Sequence, residues 1–437
     1  MSQSPQHLQR GIKRWDLVFL IINSVIGAGI FALPAKVFAL SGVFSILAFV
    51  VCAAVMVVLI LVFAEVSSRF EKTGGPYLYV NEAFGPVPAF IIGWLLMLTR
   101  LFSYATLINL LVLYLSFFSE IFKSEPVRVG IILFVTVWIA YFNWIGVKNT
   151  AKVSTILTVG KLLPLALFIL VGLFHLDFDL MVPGEVPSIS DFSGSTLLLV
   201  FAFGGFEAGL VNSGEIVNPR KNLPFGLLVA AGVIAGFYIL IQVVSIGTLP
   251  DLATSEKPLA DAATRFMGWW GGMLITVGAV VSILGTLNVQ ILSGSRLPFA
   301  LSQENQLPKV FGKIHPRFAT PFVSILFFSS LVAFVAIFWG FMSSLAVSVI
   351  SRLILYALVS GSLLKLRKSP SSEPFFKLRF GNSLALGGIL ATLWLLSGTK
   401  SEEILDTLWW TLLGLAIFVI HFLMEKNRTS NQEKTKH

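Results

Sequence analysis

Apolar residues run along this chain in long blocks, each bounded by charged, Pro or Gly clusters, near residues 15–41, 43–66, 88–118, 128–147, 150–174, 195–217, 225–249, 269–295, 321–339, 341–364, 383–398 and 406–424. Most are long enough to cross a hydrocarbon core of about 30 Å at ~1.5 Å per helical residue. The pattern predicts twelve membrane-spanning helices. Two blocks are interrupted. The first contains Ser24–Phe31, SVIGAGIF, with Gly27 and Gly29 in mid-span; the second contains Phe201–Glu207, FAFGGFE, with Gly204 and Gly205 in mid-span. Inside a bilayer, non-helical backbone is tolerated only where it is buried in protein or lines a cavity. The apolar half beginning near Ile30 carries Pro34, expected in its first turn, where a missing N–H costs little. Each break therefore reads as the end of one half-helix and the start of another, and two broken spans in one chain point to a transporter.

Composition supports the membrane reading. A chain of 437 residues, 56% hydrophobic and 12% charged, with a mean hydropathy of +0.87, cannot be packed as a soluble globule with a polar skin. The lipid bilayer is its expected surroundings. The net charge of +9 is spread in short clusters between apolar runs, with no extended basic face, so nucleic acid is not an expected partner. Cys52 is the single cysteine, which excludes an intrachain disulfide and a thiolate metal cluster.

The charges also orient the chain. With the N-terminus in the cytoplasm, most Lys and Arg fall on the cytoplasmic side, and the other side holds only Lys123, Arg128, Lys257, Arg265 and Lys400. Both termini are expected inside. The loop from His175 to Ser195 carries Asp177, Asp179, Glu185 and Asp191 without Lys or Arg, as an outer loop can. Five spans run from the first break to Phe174, and five more follow from the second break to Leu364. Because five is odd, the second set enters from the opposite side, so the halves form an inverted pair. The expected organisation is a tail at 1–14 that is not cleaved, repeats at 15–174 and 195–364, two peripheral helices within 383–424, and a cytoplasmic tail at 425–437.

Four stretches carry a family likeness: IGAGIF (26–31), TGGPYLYVNEAFGP (73–86) with GW (93–94), FAFGGFEAGLVNSGEIVNPRKNLP (201–224), and SRLPFALSQENQLP (295–308). In this order, over roughly residues 11–425, the chain resembles the amino acid-polyamine-organocation superfamily of permeases, with its leucine-transporter-like fold. The resemblance implies an all-helical fold of twelve membrane spans, a 5+5 inverted repeat with the first and sixth spans broken, and secondary amino-acid transport by alternating access. No cofactor or metal is implied.

The physics of the breaks agrees with that implication. An amino acid offers a carboxylate and an ammonium; free N–H groups at the start of a half-helix suit the first, and free C=O groups at the end of another suit the second. The carboxylate is assigned to backbone around Gly27, Ala28 and Gly29, with Ser24 and Ile26 beside it; the ammonium is assigned to carbonyls around Phe203 and Gly204, with Phe201 and Gly205 beside them. Phe203 and Phe206 flank the second break, and the resemblance implies an aromatic gate there. Glu207, a turn further on, belongs inside the bundle as gate or charge partner.

Lys161, in TVGKLLPL of the fifth span, is a buried ammonium that needs a partner and, once desolvated, can release its proton. In sodium-independent branches of the resembling superfamily, a lysine on this span takes the place of a sodium ion against the first span, so a proton is the expected coupling partner. Arg100 and Arg352 also lie deep, whereas Glu65 and Lys36, near span ends, need no special role.

HExxH, GxSxG and Cys/His metal patterns are absent, and Gly160-Lys161 is followed by Leu162 rather than Ser or Thr, so neither an enzyme nor ATP drive is expected. A channel would want a repeated filter or a ring of charge, and conductance would reveal one. A non-transporting scaffold has no use for the two breaks. The backbone site leaves substrate choice to side chains on the third, sixth, eighth and tenth spans. A neutral amino acid is the preferred substrate, with exchange or export of cationic amino acids or polyamines as the alternative.

Overall fold

The computed structural model describes residues 12–27, 29–70, 75–146, 150–207, 210, 216–368 and 374–434. Its helices are α1 (Arg14–Val25), α2 (Gly29–Ser41), α3 (Ser45–Ser67), α4 (Pro76–Phe84), α5 (Pro86–Leu115), α6 (Glu125–Ile145), α7 (Thr150–Gly172) and α8 (Ile189–Phe203), followed by α9 (Pro219–Thr248), α10 (Pro258–Gln303), α11 (Phe322–Phe338), α12 (Phe341–Leu366), α13 (Gly381–Leu396) and α14 (Ser401–Lys434). Among the described residues, extended backbone pairs only at the Ile12–Ile216 bridge.

Among the described residues, seven helical stretches are long and apolar enough to cross a membrane, and shorter apolar helices include Ile189–Phe203, Phe322–Phe338 and Gly381–Leu396. The break itself is one reason for short pieces, because it stops α8 at Phe203, in mid-block. Phe134, Val137 and Trp138 on α6 and Trp409 on α14 present large apolar side chains on the outside of the bundle. Large apolar side chains exposed in this way fit lipid and not water.

The core is built around α5, which is buried from Ile92 to Val112 and packs against α10 and α12. α10 changes direction at Gly268, whose φ of 68° is left-handed and suited to glycine. The start of α1 is set by the Asp16 carboxylate, which accepts a hydrogen bond from the Lys13 N–H at 3.1 Å and so caps the helix. At its other end the Ile26 N–H still reaches the Ile22 carbonyl, and the Gly27 N–H turns tightly onto Val25 O at 2.7 Å. The helix stops there. Helical backbone resumes at Gly29, so Pro34 lies in the second turn of α2 and not the first. There its ring removes the N–H that would have bonded the Ile30 carbonyl.

Glu65 differs from the expectation of an interfacial carboxylate. It is wholly buried at the end of α3, where Arg367 binds it with two hydrogen bonds of 2.8 and 2.6 Å, Leu378 donates its N–H at 2.9 Å, and Arg69 stands 3.6 Å away. The cluster ties α3, the end of α12 and the connection to α13 into one unit. A buried carboxylate that loses its bidentate partner becomes strongly destabilising. Arg367→Ala is therefore expected to lower stability by about 3 kcal/mol, read as a fall in the thermal unfolding midpoint of the detergent-purified protein; an unchanged midpoint would mean that Glu65 is not held by Arg367.

Candidate functional site

The two breaks touch. Gly205, at φ 117°, packs directly against the Ser24 carbonyl, so that no side chain fits between them. A Cβ on Gly29 would stand 2.8 Å from the Cα of Ala202, so the start of α2 lies flush on the end of α8. The Tyr238 hydroxyl of α9 lies 3.1 Å from the Ala202 carbonyl and 3.4 Å from the Val25 carbonyl, joining the ends of α8 and α1.

Lys161 supplies the other partner for the first break. Its Nζ donates to the carbonyls of Asn23 at 2.9 Å and Ile26 at 3.0 Å, and lies 3.5 Å from Thr286 Oγ1. Ser282 adds a longer hydroxyl contact to the Ile26 and Gly27 carbonyls. A cation thus sits at the carbonyl end of α1, where the helix dipole and the unpaired C=O groups favour one.

At the second break the chain turns through Gly204, in extended backbone, and Gly205, and the Gly205 N–H donates to Glu207 Oε2 at 3.0 Å. The same oxygen accepts from the Tyr356 hydroxyl at 3.3 Å. Glu207 Oε1 faces two guanidiniums, Arg352 Nε at 3.5 Å and Arg100 Nη2 at 3.9 Å. Arg352 Nη1 also lies 3.5 Å from the carbonyls of Val200 and Phe201, at the end of α8. Arg100 Nη1 donates to Gln290 Oε1 at 3.3 Å. All three charged side chains are buried.

Between the breaks lies a narrow cavity lined by Ser24, Val25, Gly27, Gly29, Ser103, Leu107, Phe201, Gly204, Gly205, Thr286, Gln290 and Arg352. Of the residues expected at a binding site, Ser24, Gly27, Gly29, Phe201, Gly204 and Gly205 line it. Ile26 is buried and contributes its carbonyl to Lys161. Ala28 lies outside the described residues. Phe203 and Phe206 face elsewhere: they line an apolar space with Ile21, Met56 and Ile234, where Phe203 meets the Tyr238 ring edge-on at 5.0 Å and Phe206 meets Phe63 at 5.2 Å. The aromatic ring at the polar cavity is that of Phe201.

Sequence reasoning did not assign Ser103, Thr286 or Gln290 to the cavity. A signal was present, since Ser282, Thr286 and Gln290 recur every fourth residue through an apolar block and so form one polar stripe on α10.

Apolar helices packed around a small interior cavity, with large apolar side chains on the outside, define an integral membrane protein. The chain belongs to the amino acid permease family, whose profile matches residues 12–432. It is 29% identical over 428 residues to the serine/threonine exchanger SteT of Bacillus subtilis, an alignment covering 94% of this chain and 96% of that protein. From the same organism, the branched-chain amino acid permease BcaP is 26% identical, with 96% of this chain and 94% of the relative covered. The methylthioribose transporter of that organism is also 26% identical, over 95% and 94% of the two chains.

The glycines of the first break separate by what surrounds them. A methyl on Gly27 would meet Thr286 Cγ2 at 3.4 Å, an ordinary contact, whereas one on Gly29 would press on the backbone of α8. Gly27→Ala is expected to leave the thermal midpoint near that of the wild type, and Gly29→Ala to cost about 1–3 kcal/mol of stability through overpacking. Equal midpoints for the two variants would contradict the described packing of α2 on α8.

Proposed function

We propose that this permease is a secondary active amino acid transporter of the plasma membrane that works by alternating access, with both termini cytoplasmic. Twelve spans would form two inverted sets of five, within residues 15–174 and 195–364, followed by two peripheral helices within 383–424. The observation that carries the reading is the contact of the two breaks around the polar cavity. Backbone is left unwound at membrane depth, where it is tolerated if it lines a cavity, and a small zwitterion can use what it exposes.

The N–H groups that open α2 near Gly29 take the α-carboxylate of the substrate, and carbonyls of the second break near Phe203 and Gly204 take its ammonium. The apolar space lined by Phe203 and Phe206 adjoins the second break, so a rotation there would carry these rings as a gate. Lys161 supplies the cation that a sodium ion would otherwise bring to the carbonyls of α1, and the proton it carries couples transport to the pH gradient. Substrates named for relatives, among them serine, threonine and branched-chain amino acids, support an α-amino acid as the transported species.

In proteoliposomes free of sodium, the wild type is expected to accumulate a radiolabelled amino acid when a pH gradient is imposed. Lys161→Gln, which keeps much of the bulk without the titratable charge, is expected to lose that accumulation and to retain exchange. A strict sodium requirement of the wild type, or an unchanged pH dependence of the variant, would remove Lys161 from the coupling step.

A further inference from the structure

Among the described residues around the breaks, two guanidiniums share one carboxylate. Arg100 and Arg352 are 4% and 3% exposed and Glu207 is 1% exposed, so solvent compensates none of them. Neither arginine can shed its proton in a protein. The cluster therefore carries one positive charge in excess, whatever the state of Lys161. Glu207 cannot satisfy both partners, because Oε2 is occupied by the Gly205 N–H and Tyr356 while Oε1 alone is divided between the arginines at 3.5 and 3.9 Å. Arg352 Nε has no hydrogen-bond partner among the described residues.

Position makes this excess relevant to the solute. Arg352 lines the cavity between the breaks, and its guanidinium lies so close against Gly204 that no side chain could be added there. An uncompensated guanidinium at membrane depth is costly, and a planar fork of donors matches a carboxylate. A neutral zwitterion brings no net charge to cancel the excess, and a cationic amino acid or polyamine adds to it. A solute with two carboxylates and one ammonium cancels it.

We propose that the transported solute is an acidic α-amino acid, such as L-aspartate or L-glutamate, whose side-chain carboxylate binds Arg352. The proposal rests on the reading of the cavity as the substrate site. It departs from the neutral substrate expected from sequence because a site for the α-groups built from backbone needs no charge, whereas a second buried arginine beside it does. Arg100 is a positioning residue, held on Gln290 and Glu207 behind the cavity wall. Glu207 keeps the two guanidiniums together when the site holds no solute.

The test is binding to the purified full-length protein, comparing L-glutamate with L-glutamine and L-aspartate with L-asparagine, together with L-serine, L-leucine and L-arginine, in chloride and in gluconate. One acidic amino acid is expected to bind at least ~100-fold tighter than its isosteric amide, in either salt. Arg352→Gln is expected to abolish that discrimination and Arg352→Lys to restore part of it, with thermal unfolding used to select folded variants. The comparison of isosteres on the wild type stands without any variant. An amide or another neutral amino acid that binds as tightly as the acidic ones would overturn the proposal and leave the transporter reading intact. Neutral amino acid binding that depends on chloride would assign Arg352 to an inorganic anion and likewise overturn it. Absence of binding for every amino acid tested would overturn the reading of the cavity as an amino acid site, and this proposal with it.

Discussion

Unwound backbone inside a membrane must find partners in the protein, and this requirement organises the centre of the molecule. The carbonyls that end α1 are met by Lys161 from α7, by Ser282 from α10 and by Tyr238 from α9. The N–H of Gly205 is met by Glu207, and carbonyls near the end of α8 lie beside Arg352 of α12. Helices far apart in sequence are thus drawn to the same few ångströms by groups that an unbroken helix would have satisfied alone. The small residues at the junction follow from the same need, because helix ends that share partners must approach closely, as Gly29 does to Ala202 and Gly205 to Ser24.

Much of this was legible from residue order. Close-spaced glycines in mid-block mark both breaks, because each lowers helix propensity and lets backbone approach backbone. Lys161 stands out because an ammonium in an apolar block needs a partner, and the structure supplies carbonyls of the first span. Where those carbonyls lie in space was not readable, because a helix that is apolar all round has no polar face to reveal its orientation. Phe201 and Phe203 illustrate the consequence. They differ by two positions, or roughly 200° around a helix, so the ring at the polar cavity and the ring in the apolar space point to nearly opposite sides. Glu65 was misplaced for a similar reason: nearness to a span end in sequence does not reveal that Arg367, about three hundred residues later, folds over it.

Two charged clusters show how one carboxylate serves two environments. Glu65 has a bidentate arginine, a second arginine and a backbone N–H, at distances short enough to close the cluster on itself. Glu207 also faces two arginines, but at longer range and with one oxygen already engaged. The first arrangement grips its carboxylate through a bidentate arginine and a backbone N–H, and fixes the ends of α3 and α12. The second leaves donor capacity at the cavity wall. Position and distance, and not the number of charges, set the two apart: Glu65 is held closely at helix ends, whereas Arg352 lines the cavity between the breaks.

Tyr238 has one hydroxyl hydrogen and two carbonyls within reach, at 3.1 and 3.4 Å, one from each broken span. The nearly equal distances mean that a small slide of α1 along α8 exchanges the nearer acceptor for the farther one, with the number of hydrogen bonds unchanged. Such a group acts as a bearing: it resists separation of the two helix ends while offering little resistance to shear between them.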